Sequence, residues 1–206
     1  VTPDGASFTQ KDETFIKLAQ ITDLDVDGSG QLYLAAWDGA GFSGSPTKGF
    51  VIKAVPKGWT YKAFPNVKKS SLAELTDLLK SNSAVARITA QQELLSRSEQ
   101  DAASISWKIA ADKSLPLYAR AAGIFTYAQA VDQKGMAKLV TLIADKSVRE
   151  FALRAMADRK TKSKLIPLAP YLNGLKDPSP RVQVASAIGL GRLGRKEAIS
   201  ALLQVH

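Results

Sequence analysis

Three aspartates, Asp23, Asp25 and Asp27, alternate within I-T-D-L-D-V-D-G-S-G-Q-L-Y-L-A-A-W (residues 21–37), and Gly28 follows them directly. Oxygen ligands at positions 1, 3 and 5 with glycine at 6 open a calcium loop of the EF-hand type. Such a loop closes with a bidentate glutamate at position 12, which here is Leu34. Position 8, which should be apolar, is Gly30. On a strand the three carboxylates would share one face while Leu24 and Val26 took the other. The three aspartates are therefore weak calcium candidates, better read as a half-buried strand running into an Asp27-Gly28-Ser29-Gly30 turn.

Other chemistry is closed off by composition. There is no cysteine, and the single histidine is His206. Disulfides, thiolate metal sites, c-type haem attachment, cysteine nucleophiles, Ser-His-Asp triads and multi-histidine metal centres cannot be built from this chain. Spacing sets no two Asp or Glu residues opposite each other, so no acid–base pair emerges. The expectation is a non-catalytic chain with no cofactor.

The net charge of +9 is uneven: residues 1–60 carry five lysines against seven acids, and residues 61–206 carry 23 Lys and Arg against 12 acids. Arg154, Arg159, Lys160, Lys162 and Lys164 crowd one short stretch, which invites a nucleic-acid reading. The run R-K-T-K-S-K lacks interleaved aromatics, so a solvated linker is the simpler account. Arg87, Arg120, Arg149 and Arg181 recur near successive turns. They would either face a partner or form a ladder of ion pairs with Asp112, Asp145 and Asp177, and the ladder is the preferred use. Trp37, Trp59 and Trp107 are read as packing residues, with Trp59, Tyr61 and Phe64 as contacts between the two halves.

Two kinds of element must position these residues. From Phe15 to Val55 the apolar residues alternate, with glycines 39, 41, 44 and 49 as punctuation, which predicts antiparallel strands near 13–18, 21–26, 31–36 and 49–55. A sheet this small leaves an apolar face that must pack on something. Beyond residue 70, K-S-N-S, A-D-K-S, A-D-K-S and K-D-P-S end at Ser83, Ser114, Ser147 and Ser179, at intervals of 31, 33 and 32 residues. A fixed period in that range, without strand signals, predicts a helical solenoid of paired helices.

Each unit carries apolar stripes at helical spacing on both sides of its serine. Leu72, Leu75, Leu78 and Leu79 precede the first, with Ile88, Leu94 and Leu95 after it. In the third unit Met136, Leu139, Val140 and Ile143 precede, and Val148, Phe151, Ala152, Ala155 and Met156 follow. The Asp and Ser residues of the turns suit helix N-caps, and Pro178 and Pro180 suit a first turn. Small residues at 185, 187, 189 and 191 suit close helix approach, and Gly194 a helix C-terminus.

The stretch D-P-S-P-R-V-Q-V-A-S-A-I-G-L-G-R-L-G (177–194) closely resembles the HEAT-like repeat of the phycobilisome-lyase type. A-R-I-T-A-Q-Q-E-L-L-S-R (86–97) matches more loosely. The unit at 100–131 departs most, with Trp107, Phe125 and Tyr127 at sites otherwise small or aliphatic. E-A-I-S-A-L-L-Q-V-H (197–206) begins a fifth unit. Residues 10–60, with G-F-V-I-K-A-V-P-K-G after the glycine-rich loop, resemble the last blade of a β-propeller. The likeness is to the sugar-dehydrogenase-like propellers of large membrane-bound dehydrogenases in planctomycetes and their relatives. In those chains a propeller is followed by helical repeats and often by a c-type haem domain.

The expected fold is mainly α: a HEAT-like α-solenoid of about four helix pairs over 71–206, after a blade-like sheet over 1–60 and a linker over 61–70. No apolar run long enough to span a membrane occurs. Val1 in place of Met, and an apolar-periodic segment running up to His206, suggest a piece of a longer chain. The expected role is a structural and protein-interaction module of a larger exported, periplasmic protein, whose partners are other proteins or domains of its own parent. Two alternatives stand beside it. One is part of a sugar-dehydrogenase-like electron-transfer protein whose active site lies elsewhere, and the other is a basic nucleic-acid-binding module.

Overall fold

The structure, a computed structural model, describes residues 1–18, 20–38, 47–159, 161 and 165–204. At the N-terminus, β1 (Thr2–Asp4) and β2 (Ser7–Thr9) form a two-stranded hairpin turning at Gly5. Three further strands, β3 (Ile21–Val26), β4 (Leu32–Trp37) and β5 (Gly49–Ala54), form an antiparallel sheet in the order β3-β4-β5. The register sets Leu24 opposite Leu34 and Leu34 opposite Ile52, so these share one face. Asp25, Tyr33 and Lys53 share the other. Leu34 and Ala36 on the central strand are buried, whereas every residue of β3 is exposed.

The strand expected over 13–18 is absent: residues 10–18 form no strand, and Phe15 lies in solvent. Alternation of apolar residues gives a segment a face but does not give it a ladder partner, and a strand needs both. The β1–β2 hairpin was not foreseen, because its three-residue strands are too short to show a period. Of the glycine punctuation, Gly49 opens β5, while glycines 39, 41 and 44 lie outside the described residues.

Past β5 the chain folds back on the sheet. Phe64 packs against the β3–β4 turn so closely that a Cβ on Gly28 would collide with its ring. Trp59 and Tyr61 meet edge-on with centroids 6.2 Å apart, and Tyr61 remains largely exposed. A single turn of 3-10 helix, Val67–Lys69, then leads into the helices.

The helices pair in sequence. α1 (Leu72–Leu79) opens with a capping box in which Ser71 accepts from Glu74 N and the Glu74 side chain accepts from Ser71 N. α2 (Ala84–Arg97) lies beside it, followed by α3 (Glu99–Ala111) and α4 (Leu117–Ala130). The third unit begins with α5 (Gln133–Met136), continues as 3-10 helix over Ala137–Ala144 and returns through α6 (Arg149–Met156). The fourth pairs α7 (Ala169–Gly174) with α8 (Pro180–Leu193), and α9 (Ile199–Leu202) follows. Within each unit the two helices pack on each other, and α2, α4, α6 and α8 pack successively side by side as one layer. That is a helical-repeat arrangement behind a small antiparallel sheet.

Burial follows the stripes with a few departures. Leu75, Leu79 and Leu94 form the first core cluster with Ala102 and Ile109, while Leu72 and Ile88 face outward. Met136, Leu139, Val148 and Met156 anchor the second cluster, into which Tyr171 is fully buried. Trp107 and Tyr127 meet within it with their rings tilted by 54° and centroids 5.1 Å apart. In α4, Gly123 lets α3 come close: a Cβ there would sit 2.7 Å from the Ser106 carbonyl oxygen and 2.8 Å from Ala110 N. Gly194 ends α8 in the left-handed region at φ 62°, as a C-terminal glycine does. Gly191, by contrast, faces open space and serves no helix contact.

The expected N-caps hold at Ser83, whose hydroxyl accepts from Ala86 N. In the later units the aspartate organises the turn instead. Asp112 accepts from Ser114 N and Oγ, Asp145 from Ser147 N and Oγ, and Asp177 from Ser179 N. A carboxylate is the stronger acceptor, and it captures the serine before the helix begins. Pro116 then takes the cap position of α4, and Pro180 the first position of α8.

Candidate interaction surface

Arg120, in the first turn of α4, is almost fully buried. Its Nε donates to the Ala110 carbonyl at 3.0 Å, Nη1 to Ser147 Oγ at 2.8 Å and Nη2 to Asp145 Oδ2 at 2.9 Å. One guanidinium thus ties the end of α3 to the turn of the next unit. Ser147's hydroxyl foremost, then Arg120 and the Ser147 N–H, hold the Asp145 carboxyl at about 2 against the opposing effect of burial. Arg149 repeats the design one unit later, with Nε donating to the Ile143 carbonyl at 2.6 Å and Nη1 pairing with Asp177. Burial raises Asp177, but the Ser179 N–H and Arg149 outweigh it and bring its pKa below the ordinary value.

Arg87 and Arg181 are placed differently. Arg87 donates from Nη1 to the Ser81 carbonyl at 2.8 Å and lies over the Tyr118 ring, 5.1 Å from its centroid. Arg181 reaches back from α8 to Glu150 on α6, at 2.8 and 3.2 Å. Arg159 donates to Gln129 Oε1 at 3.3 Å. Lys160, Lys162 and Lys164 lie outside the described residues.

The layer formed by α2, α4, α6 and α8 carries a groove of about 340 Å³ between α4, α6 and α8. Phe125, Ala157, Ala185 and Gly189 line it, and Val184 and Ile188 stand at its side about half exposed. Three arginines border it. Arg154 and Arg181 both donate to Glu150, and Arg192 pairs with Asp158 at 3.3 Å. Ala6, in the N-terminal hairpin, reaches its wall. An apolar floor rimmed by partly exposed guanidinium groups suits an apolar side chain flanked by carboxylates or backbone carbonyls. Sequence reasoning singled out Arg154 and Arg181 but passed over Val184, Ile188, Arg192 and the carboxylates beside them, though spacing held the signal. Arg181, Val184, Ile188 and Arg192 recur every three or four residues, as do Glu150, Arg154 and Asp158.

The aspartates of the opening motif are engaged with backbone. Asp27 Oδ1 accepts from Ser29 N, Ser29 Oγ and Gln31 N at 2.8, 2.6 and 3.0 Å, and Oδ2 accepts from the Tyr33 hydroxyl at 3.2 Å. These donors, the Ser29 hydroxyl first, lower its pKa. Asp23 and Asp25 each accept from the N–H of the residue that follows. Among the described residues, no three His, Asp or Glu side chains are grouped to hold a metal ion, and no helix is long and apolar enough to cross a membrane.

A search of curated proteins finds no match. A family model, described as HEAT repeats, matches residues 136–205. The matched residues take in most of the third and fourth helix units and α9, and with them the Arg149–Asp177 pair and the α6–α8 side of the groove, and they support reading the chain as a HEAT-like repeat protein.

Proposed function

We propose that the chain is a non-catalytic scaffold whose α4–α6–α8 layer docks an extended segment of another protein, or of another domain of its own parent. The observation that carries this is the groove between α4, α6 and α8, where Val184 and Ile188 stay half exposed beside Arg154, Arg181 and Arg192. HEAT repeats commonly serve protein interaction, which agrees with that use. Ile188→Glu places a charge in the groove without touching the core, whereas Gly191→Ala alters the same helix where it faces open space. Affinity capture with the whole chain, followed by binding measurements on the purified partner, tests the idea. Ile188→Glu should weaken binding at least tenfold while Gly191→Ala leaves it unchanged. Equal binding by both variants would refute the groove.

The larger setting, an exported and periplasmic parent with a propeller ahead of the repeats, rests on the blade-like order of β3, β4 and β5 and on the resemblance of residues 10–60. Within that setting this chain would join a dehydrogenase-like domain to its neighbours, with the redox chemistry elsewhere. The nucleic-acid alternative is the poorer fit, since Arg120 and Arg149 direct their donors into the fold.

A further inference from the structure

Among the described residues, β3 lies at the outside of its sheet, paired with β4 on one side only. Alternate residues of such an edge strand direct N–H and C=O groups away from the sheet, where another strand can take them. The edge is otherwise well suited to that. It runs for six residues without proline or lysine, and Ile21, Leu24 and Val26 are each more than a third exposed.

Two carboxylates stand in the way. Leu24 N donates to Asp23 Oδ1 at 2.8 Å, and Val26 N donates to Asp25 Oδ1 at 2.8 Å. Each aspartate occupies the donor that an incoming strand would need, and it brings a negative charge to the same place. The third aspartate of the motif acts differently, because its donors lie in the turn at Ser29 and Gln31.

We propose that Asp23 and Asp25 close the β3 edge against antiparallel pairing with a second copy of this chain. The alternating aspartates then have a physical purpose without a metal: they satisfy the outward N–H groups in cis and repel an identical edge in trans. Removing them exposes two donors on a strand with apolar side chains, the combination that templates strand addition.

Sedimentation velocity on the whole 206-residue chain over a hundredfold concentration range tests this. For Asp23→Ala/Asp25→Ala the weight-average sedimentation coefficient should climb with concentration more steeply than for the parent, with the helical circular dichroism retained. Adding Val26→Pro to that variant removes one of the freed donors at an edge position where proline is tolerated, and should reverse most of the climb. The proposal fails if the double-alanine variant superimposes on the parent at every concentration. It fails equally if Val26→Pro leaves the association undiminished, since the contact would then not run through the edge.

Discussion

Arg120 Nη2 and Asp145 Oδ2 lie 2.9 Å apart across the boundary between the second and third helix pairs, with the arginine side chain 4% exposed and the aspartate 17%. A guanidinium that deep is stable because each of its three nitrogens meets an acceptor: a helix-end carbonyl, a hydroxyl and a carboxylate. Removing one partner of a buried pair strands the other, typically at about 3–5 kcal/mol. Asp145→Ala should therefore destabilise the chain by about 3 kcal/mol in urea unfolding. Arg120→Met/Asp145→Ala should cost less than the sum of its single changes.

The depressed Asp145 carboxyl makes the same contact acid-sensitive. Its folded value of about 2 lies below the unfolded 3.8, so the stability it adds is present above pH 4 and fades as pH falls toward 2. That contribution is about 2 kcal/mol. Urea unfolding at a series of pH values should show the loss, and Asp145→Asn should flatten the curve over the same window.

Close packing of α3 on α4 gives a third expectation. Gly123→Ala would press a methyl onto the Ser106 carbonyl oxygen and Ala110 N, main-chain atoms that cannot rotate away. A loss of about 1–3 kcal/mol is expected. Gly191→Ala meets nothing within 4 Å and should raise stability by up to about 1 kcal/mol through helix propensity. Thermal melts of the two variants should move in opposite directions.

Calcium should leave the melting temperature unchanged up to millimolar ion. Asp27 already accepts three hydrogen bonds from its own turn and a fourth from Tyr33 on β4, and Asp23 and Asp25 hold main-chain N–H groups. A rise at micromolar calcium would overturn this account of the motif.

The helical half was legible because its signals are local and repeated: stripes at helical spacing, serines every 31 to 33 residues, a glycine where α8 ends. The sheet was legible where strands adjoin in sequence, as in β3, β4 and β5. It failed at 13–18, since a ladder partner is a property of the whole fold. The turn aspartates were visible as turn residues, but not their capture of the neighbouring serine, nor which arginines would be drawn inward. Arg120 and Arg181 look alike in sequence, yet one is buried against Asp145 and the other lies on the surface against Glu150. The groove went unread for a similar reason, as its two sides belong to helices about thirty residues apart.

Arg97 closes a different gap. From the last turn of α2 it donates to the carbonyls of Val67, Lys68 and Ser70 at 2.7, 3.1 and 2.6 Å. The three carbonyls just ahead of α1 are thereby pinned to the first helix pair rather than to the sheet. Any swing between the sheet and the repeats must consequently pivot upstream of Val67, whose side chain also packs on the first core cluster.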